Sequence, residues 1–169
     1  MDMPKLRQYN LMHRWAYVSP RWISQLMVRG LRDEREGGQS RKHLAASSSE
    51  PLYSTSVKTN RYEMQWKNGF TLNADHNTSI ALMLHGSWHD ADNMFGKTQY
   101  DVTQKNGYAQ LMFETDITEN NNVSVGASLN HDYYTEHFNP LGVLPKAESK
   151  VTKETTPGLY AQYTYKLGE

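Results

Sequence analysis

The chain lacks cysteine altogether, which excludes a disulfide scaffold, a thiol nucleophile and cysteine-ligated zinc or iron–sulfur sites. It also lacks a long apolar run. The longest covers only residues 80–84, whereas a spanning helix needs about 20 apolar residues, so a helical membrane protein is excluded. The chain also has no formal net charge, because its 18 basic and 18 acidic residues balance. This balance removes the electrostatic argument for nucleic acid as a partner.

The composition is poor in core-forming material but is not that of a disordered chain. Only 37% of the 169 residues are hydrophobic and the mean hydropathy is -0.79. The 11% aromatic and 21% charged fractions are nevertheless typical of a folded protein. The length predicts a single domain covering residues 1–169.

Apolar and polar residues alternate with period two along most of the chain. Near the end, Leu159, Ala161 and Tyr163 alternate with polar residues such as Gln162 and Thr164. Such alternation indicates strands between an apolar and a polar environment. Seven strands are predicted, at about residues 5–18, 21–34, 55–73, 79–93, 98–117, 122–138 and 156–168. The predicted fold is all-β, an antiparallel up-and-down meander.

The predicted connections alternate between short and long. Those after the first, third and fifth strands are tight, whereas residues 35–54 and 139–155 form long polar loops. Residues 94–96 form a short hairpin tip. In an up-and-down arrangement the three tight turns lie at one end and the long loops at the other, as in outer-membrane barrels. Aromatic residues also lie near strand ends: Trp15, Tyr17, Trp22, Trp88, Tyr133 and Tyr165.

Two architectures fit this alternation. A soluble sandwich or lipocalin-like barrel would point the apolar residues inward. A transmembrane barrel would point them to lipid and the polar residues to an aqueous lumen. Long strands, a polar face rich in amides and hydroxyls, and many Tyr and Trp residues on the apolar face favour the membrane barrel.

Four segments resemble barrel strands and an external loop of TonB-dependent outer-membrane receptors, particularly those of Bacteroidetes-type bacteria. They are QYNLMHRWAY at residues 8–17, RWISQL at 21–26, EGGQ at 36–39 and TPGLYAQYTY at 156–165. The resemblance implies a 22-stranded barrel around a plug in the outer membrane of a Gram-negative cell, energised by the TonB complex. It implies uptake of a siderophore, cobalamin or a similar large nutrient.

The sequence departs from that pattern in having no plug, TonB box, signal peptide or terminal aromatic residue. We therefore expect the chain to be a fragment of the barrel, with membrane lipid, the rest of the receptor barrel and its plug, the TonB complex and the imported nutrient as partners. Two alternatives stay open: a small structural barrel of the outer membrane, and a soluble ligand-binding barrel or sandwich.

No set of catalytic or metal-binding residues emerges from the sequence. His85 and His89 are about 13 Å apart on a strand and cannot chelate one ion together. Asp90 and Asp92 resemble a calcium loop, but Met94 stands where a third oxygen ligand is needed. They are interpreted as a solvated loop tip. No enzyme activity, cofactor or metal is predicted.

Six polar residues are candidate ligand contacts in the lumen near the extracellular mouth. They are Arg29, Asp33, His85, His89, Asp132 and Tyr134. If the long loops face outward, the predicted strands place all six on the polar side near that end. Hydration of the lumen and cross-strand pairing are the alternative roles for each of them. The surrounding charges of residues 29–36 are interpreted as the hydrated top of a hairpin.

Overall fold

A computed structural model describes residues 4–39, 52–140 and 147–167. Seven strands form one antiparallel sheet in chain order. They are β1 (Lys5–Val18), β2 (Trp22–Gly38), β3 (Ser54–Asn73), β4 (Thr78–Phe95), β5 (Thr98–Thr118), β6 (Asn121–Pro140) and β7 (Glu148–Tyr165). Among the described residues no helix is long and apolar enough to cross a membrane.

The predicted all-β meander of seven strands is confirmed. The sheet is not closed, as expected of a section of a barrel, and β1 and β7 are its edges. The bounds of β1 agree with the prediction, but β7 begins at Glu148 rather than at residue 156. Apart from Val151, the missed residues are polar on both faces, so the sequence has no apolar alternation there. Residues 40–51 of the first predicted long loop lie outside the described part.

The strands pair in continuous register, so directly opposed residues form rows that cross the sheet. Register shifts occur at Thr71/Asn73 and at Asp116/Thr118. Both lie at the end of the sheet that carries the connections after β1, β3 and β5, here called the tight-turn end. The opposite end is called the loop end. Bulges at the rim are typical of curved and closing sheets.

Each row belongs to one of two faces. The apolar face contains Leu26, Leu82, Leu111 and Val125, and the polar face contains Gln110 and Gln162, which alternate with them. The apolar face is not covered: Leu111 is 48% and Val125 is 40% exposed. In the described part of the chain only Ala91 and Val102 are buried hydrophobic residues. The described residues therefore form no closed hydrophobic core on the apolar face.

The buried residues lie mainly on the polar face. Asp33, Ala91 and Val102 are all buried, and they share one row of that face, with Thr59 between the first two. Side chains on the inner side of a curved sheet converge, whereas those on the outer side spread apart. We infer from this burial that the polar face is the concave one.

Candidate functional site

The apolar face carries a continuous band of apolar side chains. It comprises alternate positions in residues 9–17 of β1, 22–28 of β2, 62–72 of β3, 80–88 of β4, 109–113 of β5, 123–129 of β6 and 159–165 of β7. Its polar or small interruptions are His13, Ser24, Asn68 and Gly86. The Trp66 indole N–H donates to Ser24 Oγ at 3.0 Å, which pairs two polar groups within the band.

The band runs obliquely across the sheet. On β1 it begins at Tyr9, whose row leads across five strands to Val151 on β7. On β7 the band begins at Leu159, eight residues after Val151 and closer to the tight-turn end. Eight residues at about 3.3 Å each, over six strand spacings of about 4.8 Å, give the band a slope of about 40° relative to the rows, which run perpendicular to the strands. Measured across this slope, the width of the band ranges from about 10 Å on β5 to about 25 Å on β3.

All four tryptophans lie on the apolar face. Trp22 lies at the tight-turn margin of the band, where its ring stacks on Phe70 with centroids 5.7 Å apart. Trp88 lies at the opposite margin and stacks on Tyr62 at 5.6 Å. Trp66 lies near the middle of the band on β3, whereas Trp15, in the same row, lies one alternate position from the tight-turn margin on β1. Aromatic pairs therefore mark both margins of the band.

Beyond the band, towards the loop end, the apolar face becomes charged. Arg32 Nη2 lies 2.7 Å from Glu34 Oε1, and this hydrogen bond is the main cause that lowers the pKa of Glu34 and raises that of Arg32. Asp92 faces Asp101 directly across β4 and β5. Burial, then the nearby charges of Asp90 and Asp101, raise the pKa of Asp92. The strands thus extend beyond the band into a polar environment.

The polar face of β5 and β6 carries a hydrogen-bonded network around one carboxylate. Asp132 accepts from Gln104 Nε2 at 2.9 Å, Asn106 Nδ2 at 2.9 Å and Asn130 Nδ2 at 3.1 Å. Asn106 also donates to Asn130 Oδ1 at 2.8 Å. Apart from the Asp132 carboxylate, these groups are uncharged. They lie on the concave face, where they form hydrogen bonds with one another and can also bind polar molecules.

A second polar-face cluster joins β2 and β3 through charges of both signs. Glu63 lies 3.6 Å from Arg29 and 2.6 Å from Arg61, and its side chain is only 11% exposed. Arg29 also donates to Asn10 Oδ1 at 3.4 Å. Arg29 is therefore held by cross-strand pairing, which was the alternative role considered for it.

All six predicted contact residues lie on the polar face, in neighbouring rows. Arg29 and Asp132 share one row, and His89 and Tyr134 share the next. Two of the six lie on each of β2, β4 and β6, so β3 and β5 separate the candidates of one strand from those of the next. Arg29 and Asp132 are four strand spacings apart, or about 19 Å. They line one surface but do not form a compact site.

The environments of the remaining candidates differ. Asp33 is buried and accepts from Arg35 Nε at 2.7 Å, so the interpretation of this segment as a hydrated hairpin top is wrong for Asp33. His89 Nδ1 is buried with no hydrogen-bond partner among the described residues. Tyr134 lies 3.4 Å from Tyr100, hydroxyl to hydroxyl. Asp90 and Asp92 belong to β4 rather than to a loop tip.

Several polar residues that complete these clusters were not predicted as site residues. They are Glu63, Arg61, Gln104, Asn106 and Asn130. The alternation places each of them on the polar face, but only the cross-strand register shows which of them meet. In the described ranges no three His, Asp or Glu residues are grouped to hold a metal ion.

Comparison with known proteins identifies no family. No protein-family model matches the chain, and no curated protein matches it. Support for a function therefore comes from the two faces of the sheet and from the sequence segments that resemble receptor strands.

Proposed function

We propose that the chain is a section of an outer-membrane β-barrel in which the apolar band contacts lipid and the polar face lines an aqueous lumen. The oblique band is the observation that supports this most strongly. Strands of such barrels tilt by about 35–45°, and their apolar belt is about 25 Å tall with aromatic girdles at both margins. The slope of about 40° corresponds to this tilt, and the band reaches the height of the belt on β3, where it is about 25 Å wide.

The nature of the band favours lipid over a dry protein core as its environment. A core is packed by facing side chains, whereas Leu111 and Val125 on the apolar face stay largely exposed. Tyr and Trp at the margins suit the boundary between hydrocarbon and water, since their rings are amphipathic. Arg32, Glu34 and Asp92 would then lie outside the membrane.

Within this class of protein, we propose a TonB-dependent receptor as the source of the section. The four segments that resemble such receptors support this. The function is then active uptake of a siderophore, cobalamin or a similar large nutrient, with the plug and the TonB complex as partners of the whole receptor. Arg29, Asp33, His85, His89, Asp132 and Tyr134 are the proposed lumen contacts.

Tryptophan fluorescence in brominated lipid tests the membrane assignment. Four variants each keep one tryptophan and carry Phe at the other three positions, and each is reconstituted in vesicles. We expect Trp66 to be quenched most by bromines deep in the acyl chains, and Trp15 to be quenched most by bromines at an intermediate depth. Trp22 and Trp88 should be quenched most by bromines near the headgroups, because they lie at the margins of the band.

Two outcomes contradict the proposal. Equal quenching of all four tryptophans at every bromine depth would contradict the oblique orientation. A chain that stays folded and monodisperse in plain buffer, with no tryptophan reached by brominated lipid, would favour the soluble ligand-binding alternative. The receptor assignment has a separate test in the genome, where flanking DNA should encode a plug upstream and further alternating strands downstream.

A further inference from the structure

The free edge of β1 is a long, unprotected pairing surface. All of its residues are exposed, including Leu11 at 76% and Tyr9 at 66%. An edge strand leaves half of its backbone groups without partners, which is about seven N–H and seven C=O groups for a strand of this length. β1 contains no proline or glycine, and its ladder with β2 runs without a register shift.

The other edge of the sheet is built differently. β7 contains Pro157 and Gly158, and its first half carries Lys150, Lys153 and Glu154. Proline fits an edge strand when its nitrogen faces away from the sheet, and it then removes one donor from the free edge. Prolines and charges are the devices that protect exposed edges from further pairing. Both edges carry charges, so what separates them is Pro157 and Gly158 on β7, and on that ground β1 is the better acceptor for an added strand.

Strand direction restricts the partner. β1 and β7 are the first and last of seven antiparallel strands, so they run in the same direction. A second copy with the same membrane orientation could offer only its β7 to β1, and that pairing would be parallel. β1 also carries Lys5, Arg7 and Arg14 without an acidic residue, so two β1 strands do not complement each other in charge.

Charge alternation across the sheet indicates the chemistry of the partner. Arg7 faces Glu34, which faces Lys58, which faces Asp92; the alternation ends there, because Asp92 faces Asp101. Lys5 likewise faces Glu36. Opposite charges in directly opposed positions stabilise a sheet. An acidic residue opposite Arg7 on the free side would continue this series.

We infer that the free edge of β1 binds an antiparallel amphipathic strand that is not a copy of this chain and that carries acidic residues opposite Lys5 and Arg7. The partner's apolar side chains extend the oblique band. This inference rests on the proposed barrel, because the common membrane orientation excludes an inverted second copy. A closed antiparallel barrel then needs an odd number of strands between β7 and β1.

Disulfide capture tests the inference on the full chain in detergent micelles. The probe is a synthetic peptide of residues 22–36, since the β2 sequence already pairs with β1 antiparallel and contains Glu34 and Glu36. The chain carries Asn10→Cys and the peptide carries Leu31→Cys, the residue opposite Asn10 in that register. The matched control chain carries Thr152→Cys, which lies in the same row on β7.

We expect the Asn10→Cys chain to form the peptide adduct at least about fivefold more than the Thr152→Cys chain. A peptide with Glu34→Lys and Glu36→Lys should lower the adduct about fivefold, the size expected for two cross-strand charge pairs. If Asn10→Cys impairs folding, Met12→Cys with Arg29→Cys in the peptide gives the same comparison.

Three results would overturn the inference: equal capture at the two edges, no dependence on the peptide's acidic residues, and Asn10→Cys chains that link to each other in excess peptide. The last result would identify a second copy as the occupant. Bromine quenching reports only on the band, and peptide capture reports only on the edges. A failed membrane proposal and a failed edge proposal therefore give different patterns of results.

Discussion

At the scale of single residues, one glycine of the polar face, Gly126, is closely packed. Tyr160 lies over Gly126, so a Cβ added at Gly126 would lie 2.7 Å from Tyr160 Cζ and 2.9 Å from the Leu111 carbonyl oxygen. Gly69 shares the row of Gly126, but a Cβ added there meets nothing within 4 Å. The two glycines therefore differ only in what surrounds them.

We expect Gly126→Ala to lower the free energy of unfolding by about 1–3 kcal/mol, since a backbone oxygen and a packed ring must both shift. Gly69→Ala is the matched control and should be neutral or stabilising by less than about 1 kcal/mol. Urea unfolding of the two variants measures the difference. Equal stability of the two variants would show that Tyr160 does not pack over Gly126.

Two carboxylates outside the band should respond to pH in opposite directions. Burial and neighbouring acids raise the pKa of Asp92, so its ionised form disfavours the folded state. As the pH falls through the folded pKa towards the ordinary value, this penalty disappears. We expect Asp92→Asn to raise Tm at neutral pH and to have no effect at about pH 3.

The reference variant for this pH series is Glu34→Gln. The hydrogen bond from Arg32 lowers the pKa of Glu34, so its ionised form favours the folded state. That contribution is present above the ordinary pKa and is lost as the pH falls through the folded pKa. Glu34→Gln should therefore lower Tm slightly at neutral pH, the opposite sign to Asp92→Asn. Thermal unfolding at several pH values separates the two carboxylates.

At the scale of elements, the hairpin of β4 and β5 depends on Gly96. Gly96 has φ of 61°, a left-handed conformation that non-glycine residues adopt at a cost. An added Cβ would also lie 2.8 Å from two ring carbons of Tyr53. Only two residues separate the ends of the strands, Phe95 and Thr98, at this tip. So short a turn cannot relieve backbone strain by changing the conformation of other loop residues.

We expect Gly96→Ala to destabilise the protein by about 1–3 kcal/mol through backbone strain and contact with Tyr53. In a Tyr53→Ala background the contact is absent, and the same substitution should cost only the backbone strain. A double-mutant cycle measured by urea unfolding separates the two causes. A coupling near zero would contradict the packing of Tyr53 on the turn.

The elements also show where sequence patterns succeed. β1 alternates along its whole length, and its bounds follow from the sequence. The first half of β7 has no apolar alternation because it lies beyond the band at the loop end, where every residue of both faces except Val151 is polar. It is a strand because it pairs with β6, from Phe138 facing Glu148 onward. Long-range pairing decides this part of the fold, and single-strand periodicity cannot detect it.

At the scale of the whole molecule, the proposed orientation makes neighbouring positions on one strand respond differently to the same charge. Leu111 lies within the band and Gln110 precedes it on the polar face. In lipid, we expect Leu111→Arg to cost about 2–4 kcal/mol of folding free energy, as for charges near the midplane of a barrel. Gln110→Arg should cost less than about 1 kcal/mol, because a lumen position stays hydrated.

Folding into vesicles at increasing urea concentrations measures both variants. A soluble protein with Leu111 in open contact with water would show little difference between them. A larger loss for Gln110→Arg than for Leu111→Arg would place the polar face, rather than the band, in the apolar environment. That result would reverse the proposed assignment of the two faces.

The sequence by itself determined the strand number, the alternating faces and most strand bounds, because period two is a local property of each strand. It also placed all six candidate contacts on the polar face. The tertiary structure decided the register, and with it the oblique course of the band, the grouping of Asp132 with Gln104, Asn106 and Asn130, and the packing of Tyr160 over Gly126. These depend on contacts between strands distant in sequence, which no local pattern encodes.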